Sequence, residues 1–183
     1  TFDPELTSRT FLVNLTADNK VELDETFAAN LSNLGAAGRA VSLGANGTGT
    51  IQNDDAAMFT VADASNLESN GSVDFTVTLG TEVDSAVTVT ATYISSTETG
   101  DTATLTTDYA GTTGTVSFAG GSVGDTRPFS VATVKDGIVE LDETFTVTLT
   151  DGGAKTYDTA TGTIENSDRA TFSVVDSSAL ESA

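Results

Sequence analysis

Between residues 73 and 79 the chain alternates, with Val73, Phe75, Val77 and Leu79 on one side and Asp74, Thr76 and Thr78 on the other. The same period of two runs through Val87, Val89, Ala91 and Tyr93, and again through Phe145, Val147 and Leu149. Successive side chains of a strand face opposite ways, so the pattern predicts strands with one face in a core and a Thr-rich face in water. Shorter strands are predicted at 58–62, 114–118, 128–134 and 160–165, punctuated by Asn70-Gly71, Gly120-Gly121, Asp136-Gly137 and Gly152-Gly153. No segment of useful length has helical periodicity. About seven such strands in roughly 110 residues predict an all-β fold, an antiparallel sandwich of immunoglobulin-like architecture. With no Cys and no Trp, the chain lacks the Cys…Trp…Cys hallmark of true immunoglobulin domains.

The pattern repeats. Val21-Glu22-Leu23-Asp24-Glu25-Thr26-Phe27 returns 118 positions on, 139 against 21, as Val139-Glu140-Leu141-Asp142-Glu143-Thr144-Phe145. That offset also aligns Arg9 with Arg127, Phe11 with Phe129, Val13 with Val131, Asp18 with Asp136 and Leu31 with Leu149. Thr48-Gly49-Thr50-Ile51 returns as Thr161-Gly162-Thr163-Ile164 at an offset of 113, 161 against 48. The 113 offset continues through Phe59, Val61, Asp63, Leu67 and Glu68, which return as Phe172, Val174, Asp176, Leu180 and Glu181. Fixed blocks joined by loops of variable length mark a modular repeat. The division expected is the back half of one module at 1–55, carrying three strands, a whole module at 56–168, and the first strand of another at 169–183. The sandwich is therefore tandem.

Charge narrows the chemistry. The 183 residues hold 27 acidic and 7 basic side chains, a formal charge of -20. Such a field repels phosphate backbones and anionic membranes and attracts cations, so neither nucleic acid nor membrane insertion is expected. Without Cys or His there is no thiolate nucleophile, no disulfide and no imidazole for proton transfer near neutral pH. No apolar run is long enough to span a bilayer, and no basic segment followed by an apolar one opens the chain.

The block Asp136-Gly137-Ile138-Val139-Glu140-Leu141-Asp142-Glu143 concentrates carboxylates on a short loop before a strand. Two carboxylates about 4 Å apart repel by about 4 kcal/mol at an effective dielectric near 20, and a cation relieves that. Calcium takes about 6–8 hard oxygen ligands, more than one loop supplies. Others must converge from neighbouring loops, and Asp108, Glu68, Asn166 and Asp168 are the candidates. In so acidic a chain a loop with four acids can be ordinary solvated surface. What tells against that is repetition: Asp18, Glu22, Asp24 and Glu25 recur in register, while neighbouring polar positions drift, Asn19 becoming Gly137 and Thr16 becoming Val134. Asp24 and Asp142 are expected to face solvent or cap the turn, and Phe27, Phe145, Phe118 and Tyr109 to sit in the core rather than to form a binding platform.

Glu68-Ser69-Asn70-Gly71, Thr107-Asp108-Tyr109, Gly114-Thr115-Val116-Ser117-Phe118, the Asp136–Phe145 block and Gly162-Thr163-Ile164-Glu165-Asn166-Ser167-Asp168 together resemble the Calx-β domain family. The resemblance covers the whole module, with Glu140-x-x-Glu143-x-Phe145 its specific part. It implies a seven-strand sandwich that binds calcium through loops at one end, in tandem modules of a large extracellular protein of bacterial type. Position by position it puts ligands at Glu68, Asp108, Asp136, Glu140, Glu143 and Asp168. In the preceding copy the matching positions are Asp18, Glu22, Glu25, Asp54 and Asp55, and in the following one Glu181. Two departures, Lys135-Asp136-Gly137 and Asn166-Ser167-Asp168, replace longer acid runs and imply fewer or weaker ions.

The function expected is that of a calcium-binding structural module, not an enzyme, in an extracellular or cell-surface stalk, fibre or filament. Its partners are neighbouring modules and other copies, by lateral or strand-exchange association. An adhesive or glycan-binding module is the alternative, but no Trp and three Tyr offer little platform for it. A calcium sensor is a second alternative within the binding class. A carboxylate-pair hydrolase lacks an evident pocket and the specific spacing such catalysis needs.

Overall fold

The computed structural model describes residues 8–96 and 101–181. Its strands are β1 (Glu25–Ala29), β2 (Gly47–Ile51), β3 (Phe59–Val61), β4 (Ala64–Leu67), β5 (Ser72–Leu79), β6 (Val87–Ser95), β7 (Tyr109–Ala110), β8 (Thr113–Phe118), β9 (Thr126–Thr133), β10 (Glu143–Thr150) and β11 (Thr156–Glu165). One 3-10 turn, Glu68–Asn70, breaks the series. Residues 59–165 form two sheets, one in the order β4-β11-β10-β6-β8 and the other β3-β5-β9-β7. The expected all-β sandwich is what forms. Nine strands reduce to seven runs, because β3 with β4 and β7 with β8 are each one run that crosses from one sheet to the other.

The alternation read along β5, β6 and β10 packs as predicted. Val73, Phe75, Val77, Leu79, Val89, Ala91, Tyr93, Phe145, Val147 and Leu149 are buried between the sheets. Phe118 and Tyr109 join them, and Tyr109 stacks on Phe145 with ring centroids 5.1 Å apart. Phe27, in the first copy, is half-buried. The close fit of Phe145 to β11 explains Gly162: β10 and β11 set the two opposite each other, and the ring lies where a Cβ on residue 162 would be. In the first copy Phe27 faces Gly49 in the same register and covers it in the same way. The repeated Thr-Gly-Thr-Ile therefore keeps a seat for a repeated Phe.

Strand direction fixes where the loops fall. The chain enters the complete module before β3, and β4, β6, β9 and β11 all run towards one end. At that end lie Glu68, residues 101–108, residues 134–142 and residues 166–168. The opposite end carries residues 80–86, 119–125 and 151–155.

Before β3 the described residues form two strands rather than three. Arg9–Val13 aligns with β9, whose hydrogen-bond partners are β5 and β7. Among the described residues no such strands pair with residues 8–24, which form an isolated bridge at Val21. Residues 169–181 likewise carry the side-chain pattern of β3 and β4 but adopt no strand, with Phe172 93% and Val174 98% exposed. β3 is held by β5, and among the described residues no strand pairs with 169–181 in that way.

The two acidic loops do not end alike. Val21 donates from its N–H to Glu82 O at 2.9 Å and accepts from Asp84 N–H at 3.2 Å, forming a parallel bridge to Val83. Val83 is buried and is itself bonded in both directions to Gly121. The acidic loop of the first copy is thus joined to the opposite end of the next module.

Candidate metal centre

Four loops bring six carboxylates to one end of the complete module, in two groups. Glu68, Asp136 and Asp168 make one, and Asp108, Glu140 and Glu143 the other; within each, one oxygen per residue lies within 4.8 Å of the other two. These six are the residues the sequence singles out in this module. No helix among the described residues is long and apolar enough to cross a membrane.

Each side chain is set by local structure. Glu68 opens the 3-10 turn that Gly71 closes at φ 87°, a conformation that costs glycine little. Its backbone oxygen accepts from Gly71 N–H and from Thr133 Oγ1, which ties the turn to β9. Its carboxylate is buried and accepts from Ser167 Oγ at 2.9 Å. Asp108 is buried at the mouth of β7, where its Oδ2 accepts from Thr104 N–H at 2.6 Å and its backbone oxygen from Val134 N–H. Asp136 Oδ1 accepts from Ile138 N–H at 2.7 Å, a local turn in the loop between β9 and β10. Glu143 is the first residue of β10, held opposite Ile164.

Electrostatics marks the place as short of positive charge. Glu143 is pushed up to about 7, first by burial, then by the charge of Asp108, to which it is also hydrogen-bonded, and then by Glu140 and Asp101. Glu140 is raised by burial first and then by Asp136, Asp108, Glu68 and Asp101. Asp168 Oδ2 is buried with no hydrogen-bond partner. A buried carboxylate oxygen facing other carboxylates, with no donor, is costly unless a cation meets it. The donor set is all oxygen and all acidic, which suits a hard cation of calcium type.

In the first copy the matching acids share a pocket but form no group of three carboxylates as close as those two among the described residues. Asp18, Glu22, Glu25, Asp54 and Asp55 line one small pocket. Asp55 is raised by burial and then by Asp54, Asp18 and Glu22. Glu25 is exposed where Glu143 is half-buried. Glu181 is exposed in the strandless segment and belongs to neither group. Asp24 and Asp142 do cap: Asp24 Oδ1 accepts from Asn53 N–H at 3.1 Å and Asp142 Oδ1 from Asn166 N–H at 3.0 Å. Asn53 and Asn166 in turn donate from Nδ2 to the backbone oxygens of Asp55 and Asp168. Asn166 therefore positions Asp168.

Three participants have no sequence signal. Asp101 adds charge beside Glu143 because Thr144 N–H bonds to its backbone oxygen, a pairing of distant loops. Ser167 is a donor to Glu68 across 99 positions. Lys20, third in the first acidic loop, forms ion pairs with Glu22 and Asp84.

A seven-run sandwich with two carboxylate groups at one end defines a calcium-binding β-sandwich module. The chain belongs to the Calx-beta domain family, which matches residues 1–56 and 50–178. Calx-β domains are calcium-binding modules, and calcium is the cofactor of this one. Among solved structures it is similar to the apo-form Calx CBD1 domain, at 19% identity over 61% of this chain and 99% of that one, with a TM-score of 0.46. CBD12 from CALX1.2 matches at 21% identity, 60% and 46% coverage and a TM-score of 0.45. The calcium binding domain CBD12 of CALX1.1 matches at 19%, 60% and 44%, with a TM-score of 0.45. This chain thus spans less than half of either CBD12 chain. A search of curated proteins finds no significant match.

Proposed function

We propose that this chain is a calcium-binding structural segment of an extracellular or cell-surface stalk, fibre or filament, in which ions bound at the acidic ends of modules stiffen the joints between them. The ligands assigned are Glu68, Asp136 and Asp168 for one ion and Asp108, Glu140 and Glu143 for another, with Asp18, Glu22, Glu25, Asp54 and Asp55 serving the preceding module. Residues 1–55, 56–168 and 169–183 are read as parts of three successive modules, whose partners are one another and, by lateral or strand-exchange association, other copies.

The observation that carries the reading is the bridge from Val21 to Val83. It seats the acidic loop of one module on the plain end of the next, and only Ala56, Ala57 and Met58 separate Asp55 from β3. A joint with so short a connection has little freedom of its own, and the carboxylates beside it repel one another until a cation arrives. Calcium outside cells is abundant enough for weak sites of this kind to fill. Small-angle scattering of the chain with calcium and after chelation is the test. The maximum dimension and the melting temperature are expected to fall on chelation; identical profiles and identical melting in both states would overturn the proposal.

A further inference from the structure

The two acidic loops differ in charge at one aligned position. Where the complete module has Ile138, the first copy has Lys20. The Lys20 ammonium lies 3.1 Å from Glu22 Oε1 and 3.5 Å from Asp84 Oδ2. Glu22 is the counterpart of Glu140, and Asp84 belongs to the β5–β6 loop of the following module. The backbone beside it is fixed: Val21 is bonded to Glu82 and Asp84, and Lys20 N–H donates to Asp18 Oδ1 at 3.0 Å. Lys20 therefore stands astride the joint, with one partner in the acidic pocket and the other across the interface.

We propose that Lys20 is a resident counter-ion that competes with calcium for Glu22 and, once displaced, pairs with Asp84 alone, so that filling the first acidic group tightens the joint. The proposal rests on reading that group as a calcium site. An ammonium and a calcium ion cannot both contact the Glu22 carboxylate without repelling each other, and the divalent ion gains more from the surrounding Asp18, Asp54 and Asp55. Lysine is a point charge on a flexible four-carbon stem, so its head can swing to Asp84 while its backbone stays in place. A half-exposed ion pair holds loosely, which makes the exchange easy and the effect on affinity a matter of several-fold. The second acidic loop, with Ile138, has no such competitor. The acidic ends of the two modules are thereby set to fill at different calcium concentrations and with different consequences.

The test is a calcium titration by calorimetry of the whole chain in a Glu68→Gln, Asp136→Asn, Glu140→Gln, Glu143→Gln background, which disables both carboxylate groups of the complete module so that the remaining binding reports the first copy. Adding Lys20→Ile is expected to raise that affinity roughly threefold to tenfold at low salt, with the gain shrinking at high ionic strength. Lys135→Met removes the same charge at the far end of the complete module and is expected to leave the affinity within about twofold. Hydrogen exchange reads the coupling: saturating calcium should slow exchange at the Asp84 amide when Lys20 is present and fail to do so in Lys20→Ile. Equal affinity with and without Lys20, or an equal gain from Lys135→Met, overturns the competition while leaving the calcium site standing. Unchanged Asp84 exchange overturns the coupling. No calcium binding at all in that background removes the first site and this proposal with it.

Discussion

Glu143 shows what the site asks of a single side chain. Its carboxyl is pushed up to about 7 by burial and by Asp108, against an ordinary value of 4.5. A raised folded-state value means that between about pH 4.5 and 7 the folded chain binds more protons than the unfolded one. Stability without calcium is therefore expected to be greatest at the acid side of that window and to fall as pH rises through it. Thermal melting of the calcium-free chain at pH 5 and pH 7.5 checks the sign. Calcium needs the ionised form, so affinity should drop as pH is lowered from 8 to 6, with proton uptake by the buffer visible in calorimetry. Replacing Glu143 by Gln removes both the repulsion and the ligand. The variant is expected to melt higher than the parent without calcium and to lose most of the calcium-induced rise, a sign reversal that differential scanning calorimetry resolves.

At the scale of elements, the site depends on strand ends being held in register, and the β10–β11 pair does this. The Phe145 ring sits over Gly162, so a methyl at 162 has to push the ring out of a full core. Gly162→Ala is expected to destabilise by about 1–3 kcal/mol, as overpacking does, and chemical denaturation measures it. The same change at Gly49 should cost less, since Phe27 is only half-buried and its ring can move. Asp142→Ala removes the acceptor for Asn166 N–H, the residue that positions Asp168. A loss of about 1 kcal/mol in stability, with weakened calcium binding, is expected of a lost cap of this kind.

These elements also show what a sequence of this type makes readable. Period-two alternation locates β5, β6 and β10 because each buries one face only, and the 118-position repeat picks out Asp136, Glu140 and Glu143, three of the six carboxylates that the fold gathers; the family resemblance supplies Glu68, Asp108 and Asp168. The crossing of β3 into β4 and of β7 into β8 carries no such signal, since a run that changes sheets keeps its alternation. Asp101, Ser167 and Lys20 stayed hidden for a related reason. Each acts through a partner brought close by folding, at 99 positions in the case of Ser167 and Glu68, and nothing in the local pattern encodes that. The strands expected at the two ends of the chain have the right side chains but not the neighbours, and a strand's hydrogen bonds come from its neighbours.

For the molecule as a whole, a formal charge of -20 sets a background against which every local charge acts. Self-repulsion of this size opposes compactness, and salt screens it within about 8–10 Å at ordinary ionic strength. Adding sodium chloride to the calcium-free chain is expected to raise the melting temperature steadily, whereas millimolar calcium should give a larger rise at far lower ionic strength. A chain stabilised equally by sodium and calcium at matched ionic strength would have no specific site.

The pairing of β4 with β11 bears on how such a module carries load. The two strands are parallel neighbours, Gly162 opposite Ala64 through Glu165 opposite Leu67, and both point to the acidic end. Tension along the chain enters through the start of β3 and leaves through the end of β11, so it drags these neighbours past each other. All of their hydrogen bonds then resist together instead of opening one at a time from an end. Glu68 and Asp168 stand just beyond the last pair, and an ion shared between them would rivet the two strands where the pull is applied, making the module toughest with that ion bound.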